Sequence, residues 1–427
     1  MLRQHMFSRF IYSIKNNPFD FIYFLFYAGI LATLAMVLVN PDEALKVFIF
    51  STALSLPLIG KNIKHVCSNK QNLVLPVMLL LFGLLQIIWV EIFKQPGSAF
   101  TGAYRSYQNG GKVMIFAALV MTALASREPC ANKTRITSIW TILTAIGLYL
   151  FAGYEVAGAP DIMTYRVALG FEHQTGTAYA LTLIALLASQ AIINLRLKHT
   201  AALYLLHFLI SLAVIITTQT RAAILVYPIL SVGLFLMYYR HNRTMLIRAL
   251  LGFVILVGVA AIPLKPIIES RYQNFLVDLH SYNQNNSNTS IGARLAMQRA
   301  GIEAGKVHHW GQSLEQRGAE IQRLAVQDTS LQGALVFIDV HLHNEIVDTF
   351  SLKGIPGVVV LLLLYTAMFL IAYWQRSPLL FVVSGAIAVY GLSDLLLYAK
   401  GEALSSVLAL CVAAVLSSNP TRERCHG

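Results

Sequence analysis

Charge is what this chain has least of. Only 12% of its 427 residues are Asp, Glu, Lys or Arg, against about a quarter in an ordinary soluble domain, and that excludes a water-soluble globular fold. Carboxylates are the scarcer half, 20 against 32 basic residues. Cysteine is sparse too: Cys67, Cys130, Cys411 and Cys425 are spaced too widely and irregularly for a zinc site. No internal repeat of fixed period appears, nor any low-complexity tract beyond "NQNNSNTS" at 283–290. No aromatic-basic module for nucleic acid is present, so the formal net charge of +12 and the pI near 9.5 are read as topology signal and attraction to anionic lipid.

Apolar residues make up 56% of the chain. They gather in runs near 21–39, 43–60, 72–93, 106–126, 136–158, 175–194, 200–219, 221–239, 245–264, 354–374, 378–397 and 401–418. Each approaches the roughly 20 residues that cross a bilayer as helix, which predicts an all-α integral membrane protein of about twelve spans. Pro57, the 109–112 start and Arg248 weaken spans two, four and nine. Lys and Arg flank alternate connections: Lys15, then Lys61 and Lys64, Arg127 and Lys133, Arg196 and Lys198, Arg240 and Arg243, and finally Arg376 and Arg422. Positive flanks are retained in the cytoplasm, so both termini are expected there. The first run lacks a small-residue cleavage site and is expected to stay as an anchor. Cys67, Cys130 and Cys425 then fall on cytoplasmic stretches and Cys411 within a span, leaving the far side no disulfide candidate.

The whole chain, 1–427, is expected to form a single polytopic domain with one large loop, 265–353, on the far side between spans nine and ten. Loops of that length are usually functional or disordered, and this one has a helical pattern. In 265–282, Ile268, Tyr272, Phe275, Leu276 and Leu279 share a helical face. Ser290 is placed to cap a helix over 291–306. Ser313 and Gln316 have capping-box spacing before a third helix ending near Gln327.

Far-side segments should be poor in arginine, yet Arg105, Arg166, Arg221, Arg271, Arg294, Arg299, Arg317 and Arg323 lie there. Arg221 sits in the very short polar turn "TTQTR", beside Gln219, between two apolar runs. A charge at that depth costs about 2.5–3.5 kcal/mol at mid-helix, and marks a functional site unless it snorkels to the headgroups. The stretch "FIDVHLHNE" at 337–345 sets two histidines, an amide and two carboxylates among apolar neighbours. As a helix, its four-residue spacing pairs Asp339 with His343 and His341 with Glu345, and a carboxylate beside an imidazole suits a general base. As a strand, it puts His341, His343 and Glu345 on one side and opens a metal site. A wet surface helix is the bland alternative.

His343-Asn344, nine residues, Gly354, two residues and Gly357, together with "TQTRA" at 218–222, "GARLAM" at 292–297 and "HLHNEI" at 341–346, resemble the bacterial O-antigen ligases. These belong to a wider superfamily that includes surface-polymer polymerases. The resemblance covers essentially the whole chain, although its first ninety residues hold no motif. It implies a glycosyltransferase-C-like, multi-pass protein of the bacterial inner membrane with a periplasmic site. It also implies transfer of polysaccharide from undecaprenyl pyrophosphate to the lipid A-core oligosaccharide. His343, Arg221 and Arg294 are then the expected catalytic residues, with Asp339 orienting His343 by the helical spacing. Arg166, Arg271, Asn344, His341 and Gln219 are expected substrate contacts. No cofactor and no metal are expected, since arginines would supply the positive charge. A polymerase of the same superfamily and a lipid-linked sugar flippase are the rivals. Against the latter, polar residues concentrate on one side, no repeated halves appear, and His207 reads as a helix-to-helix hydrogen-bonding group.

Overall fold

Hydrocarbon offers a peptide group no hydrogen-bond partner, so a chain this apolar satisfies its backbone within helices. A computed structural model describes residues 18–68, 70–127, 131–161, 165–284 and 286–418, less the side chains of residues 249, 257, 259–261, 263, 264, 267, 268 and 271. Among the described residues there is no strand. The helices are α1 (Pro18–Met36), α2 (Pro41–Lys61), α3 (Ile63–Ser68), α4 (Lys70–Phe93), α5 (Thr101–Ala125), α6 (Ala131–Ala157), α7 (Gln174–Asn194), α8 (Thr200–Thr217), α9 (Arg221–Tyr239), α10 (Arg243–Asn283), α11 (Ser290–Val307), α12 (Leu314–Gln327), a 3₁₀ helix (Thr329–Phe337), α13 (Glu345–Trp374), α14 (Pro378–Gly391) and α15 (Lys400–Ser417).

Among the described residues, ten helices are long and apolar enough to cross a membrane: α1, α2, α4 to α9, α13 and α15. The chain is a multi-pass membrane protein. Two of the twelve expected spans take another form. The run at 245–264 is the first half of α10, which continues unbroken for 41 residues. The run at 378–397 yields the 14-residue α14 and then a non-helical stretch, 392–399. α7 is buried on every side at the centre of the bundle. α4 and α5 meet through glycines, a Cβ at Gly83 lying 2.6 Å from the Gly111 carbonyl oxygen, the close approach that small residues permit between membrane helices. His207 takes the expected bridging role, with Tyr149 Oη 3.0 Å from Nε2 and Ser189 Oγ 3.2 Å from Nδ1.

The 265–353 region folds as its pattern indicates, with small shifts. The amphipathic 265–282 segment extends α10, and Tyr272, Phe275, Leu276 and Leu279 are exposed along it. Thr289, one residue earlier than expected, caps α11 by accepting the Gly292 N–H at 3.1 Å. The capping box of α12 is complete, Gln316 N–H donating to Ser313 Oγ at 3.0 Å and Ser313 N–H to Gln316 Oε1 at 2.9 Å. α11, α12 and the 3₁₀ helix enclose a core of their own built on Ala296, Met297, Ala300, Ile321 and Leu331. A separate cluster around Trp89, Tyr104, Tyr107, Leu314, Leu352 and Tyr398 joins this cap to the bundle.

Candidate active site

The histidine stretch is neither helix nor strand. After the 3₁₀ helix the chain turns and runs irregularly through residues 338–344 before α13 begins. The four-residue pairing therefore does not form, and Asp339 is not the partner of His343. That partner is Asp394, whose Oδ1 lies 3.1 Å from His343 Nδ1 and 3.7 Å from His341 Nε2. The rings of His341 and His343 sit edge to face at 4.4 Å. Glu345 faces elsewhere, buried, accepting the Leu397 N–H at 3.0 Å and the Tyr365 O–H at 2.9 Å.

Burial opposes ionisation of Asp394, but the His343 hydrogen bond and the two imidazoles outweigh it and hold the carboxyl at about 2. An ionised carboxylate only accepts, so His343 Nδ1 is the donor in the hydrogen bond to Asp394. Burial pushes His341 down to about 4. It is neutral at neutral pH, and its Nδ1 accepts the His343 backbone N–H at 3.3 Å. His343 itself has φ +50°, a left-handed conformation that costs about 1–3 kcal/mol in a residue other than glycine and persists only where surroundings enforce it.

Those surroundings are specific. Arg317 and Asp348, both fully buried, pair at 2.9 Å. Arg317 Nη2 also donates to the Val340 carbonyl at 2.8 Å, while Asp348 Oδ1 accepts the Leu342 N–H at 3.1 Å and Oδ2 accepts the Tyr107 hydroxyl. Burial works against the charge on Arg317, but the Asp348 carboxylate and the Tyr107 hydroxyl beside it outweigh that cost and raise the guanidinium above its ordinary range. Asn344 caps α13, accepting the N–H of Ile346 and Val347 at 3.1 Å each, and donates to the Leu392 carbonyl at 3.1 Å. It anchors one loop to the other. Gln86 donates to the Leu397 carbonyl at 3.0 Å, and Gly110 lets that loop approach so closely that a Cβ there would lie 2.4 Å from the Tyr398 carbonyl oxygen. The motif glycine Gly354 has φ +61° at a break in α13, where a Cβ would stand 2.1 Å from the His309 carbonyl oxygen. Ile355 N–H bonds that same oxygen at 2.9 Å. Only glycine admits the 308–311 loop at that point.

His341, His343 and Asp394 open onto a cavity of about 960 Å³, which Arg105, Arg166, Tyr179 and Glu402 also line. Arg166 donates to the Thr218 carbonyl at 3.0 Å, and Gln219, buried with φ +53°, donates to the Tyr165 carbonyl at 3.1 Å. Both hold the polar turn against the cavity wall. Arg221, at the end of that stretch, is the first residue of α9 and is not among the described residues that line the cavity. Its Nη1 is 3.7 Å from Asp278 Oδ2 on α10. Arg294 is half-buried on α11 and likewise is not among the described residues that line the cavity. It forms no hydrogen bond or ion pair with any described residue. The side chain of Arg271 lies outside the described residues.

Sequence reasoning missed Asp394, the only charged residue in the run 378–397; a lone charge in an apolar run was the signal that could have found it. Arg317 stood among the far-side arginines with nothing to set it apart, because its partner Asp348 is 31 residues away. One nitrogen each from His341 and His343 and one oxygen of Asp394 lie within 4.8 Å of one another, a spacing able to hold a metal ion.

The model of the O-antigen ligase family matches residues 206–362, which take in Arg221, Arg294 and His343. Across 91% of this chain, and 92% of the relative, the sequence is 32% identical to the O-antigen ligase of Escherichia coli (strain K12).

Proposed function

Because the chain belongs to the O-antigen ligase family, a family of glycosyltransferase-type membrane enzymes, we propose that it transfers polysaccharide from undecaprenyl pyrophosphate to a hydroxyl of the lipid A-core oligosaccharide, at the periplasmic face of the bacterial inner membrane. The observation that carries this reading is the His343–Asp394 pair at 3.1 Å, opening onto a large cavity where the helices end.

In this reading His343 Nε2 takes the proton as the acceptor oxygen attacks the anomeric carbon. The new glycosidic bond forms while the bond to the pyrophosphate oxygen breaks, and the diphosphate leaves with the electron pair. A single displacement of this kind inverts the anomeric centre. The Asp394 carboxylate stabilises the imidazolium that results. Arg294, unneutralised among the described residues, and Arg221 meet the charge that builds on the diphosphate, and the planar guanidinium matches phosphate oxygens better than an ammonium. Arg221 exchanges its long contact with Asp278 for the diphosphate. Arg166 and Arg271 add further donors. Asn344 and Gln219 act by fixing the loops, and Asp339 has no part in orienting the base.

In this reading the arginines, rather than a metal ion, supply the positive charge. Purified protein given lipid-linked polymer and core lipid, with chelator present, tests the whole reading. Polymer joined to core lipid supports it. Longer lipid-linked chains would identify a polymerase, translocation alone a transporter, and loss of product on chelation a metal enzyme built on the same three residues.

A further inference from the structure

A second cavity, of about 470 Å³, lies at the end of the bundle opposite the histidines. It sits between the start of α1, the end of α5, the start of α6 and the ends of α13 and α15, so it lies where membrane helices meet a headgroup layer. Its lining is amphiphilic. Leu124, Ile371 and Leu380 form an apolar wall, and Arg127 and Lys133 stand at its polar side. The two cations share one aromatic platform: Arg127 Cζ is 4.2 Å and Lys133 Nζ 4.5 Å from the Tyr23 ring centroid. Arg127 is neutralised by Asp20 at 2.7 Å. Lys133 forms no ion pair with any described carboxylate, so among the described residues two cations stand beside the apolar wall against the single carboxylate of Asp20.

From this arrangement we infer that the cavity is a binding site for an anionic phospholipid, its phosphate on Lys133 with Arg127 alongside, and an acyl chain against the Leu124–Ile371 wall. A single-sign charge at headgroup depth, next to hydrocarbon-lined space, is the chemistry that selects such a lipid over a zwitterionic one. The site is separate from the glycosyl-transfer cavity and stands whether or not the proposed reaction does.

The test is the thermal unfolding midpoint of the purified full chain in neutral detergent, with phosphatidylglycerol, phosphatidylcholine or inorganic phosphate added. Phosphatidylglycerol should raise the midpoint saturably and phosphatidylcholine should not. Inorganic phosphate should have little effect, because it lacks the chain that fills the apolar wall. Lys133→Gln should weaken the half-saturating phosphatidylglycerol concentration about fivefold, roughly what one basic side chain contributes at a charged membrane surface, and Lys133→Arg should restore most of it. His343→Ala and Arg294→Ala should leave the lipid response intact, which separates this site from any lipid held at the other cavity. Equal responses to the two lipids, an unchanged response in Lys133→Gln, or its loss in Arg294→Ala would each overturn the assignment. Should Lys133→Gln not fold, native mass spectrometry of the wild-type chain decides: retention of phosphatidylglycerol in preference to phosphatidylcholine supports the site, and equal retention removes it.

Discussion

The membrane helices and the two irregular stretches, 338–344 and 392–399, solve the same problem by opposite means. Each helix satisfies its own peptide groups, so any apolar residue of suitable size serves along most of its length. In the irregular stretches the backbone depends on individual side chains. Val340 and Leu342 are held by Arg317 and Asp348, Leu392 by Asn344, and Leu397 by Gln86 and Glu345. Interchangeable contacts build the bundle, and irreplaceable ones place His343 against Asp394.

That contrast can be broken by substitution, and the largest effect belongs at the reacting group. His343→Ala should lower transfer by about 10²- to 10⁴-fold, the usual contribution of a positioned base, while the protein remains inserted; near-normal turnover would remove His343 from the chemistry. Asp348→Ala leaves Arg317 buried and unpaired and should cost about 3–5 kcal/mol of stability, read as a lowered unfolding midpoint together with lost activity. Gly110→Ala pushes on the Tyr398 carbonyl from a different helix. It should reduce turnover through the displaced loop, whereas equal activity would show that the loop tolerates movement.

The smallest effects sharpen the comparison. His341 is held neutral by burial, its value lowered from 6.5 to about 4. The unfolded chain therefore binds the extra proton between those values, so this residue's share of stability is complete above 6.5 and is lost as pH falls towards 4. The midpoint should drop from pH 7 to pH 5, and less steeply in His341→Gln; parallel slopes would contradict the neutral assignment. Within the bundle, Ile184→Val on the wholly buried α7 should cost only about 0.5–1.5 kcal/mol and leave turnover unchanged.

Legibility in the sequence follows the same division. Hydropathy located the ten helices that, among the described residues, are long and apolar enough to cross a membrane, because burial in lipid needs only composition. The capping box of α12 was readable because its partners are three residues apart. The pairing of His343 was not, because its partner is 51 residues distant and lies in a run whose average hydropathy is that of an apolar span. The helical reading of 339–345 failed for a related reason: Asp348 and Arg317 bind the backbone of 340 and 342 from outside, and no local pattern encodes that. Glycine at 354 was recognised only as a motif letter, and its cause is the approach of His309.

The decisive measurement is the single-turnover rate of polymer transfer by Asp394→Asn and Asp339→Asn, each with donor binding measured alongside. An amide at 394 can present its N–H to Nδ1 and lacks the charge that supports the imidazolium, so that variant should lose at least about tenfold in rate while still binding donor, and Asp339→Asn should match the wild type. A normal rate in Asp394→Asn, or a loss confined to Asp339→Asn, would contradict the account.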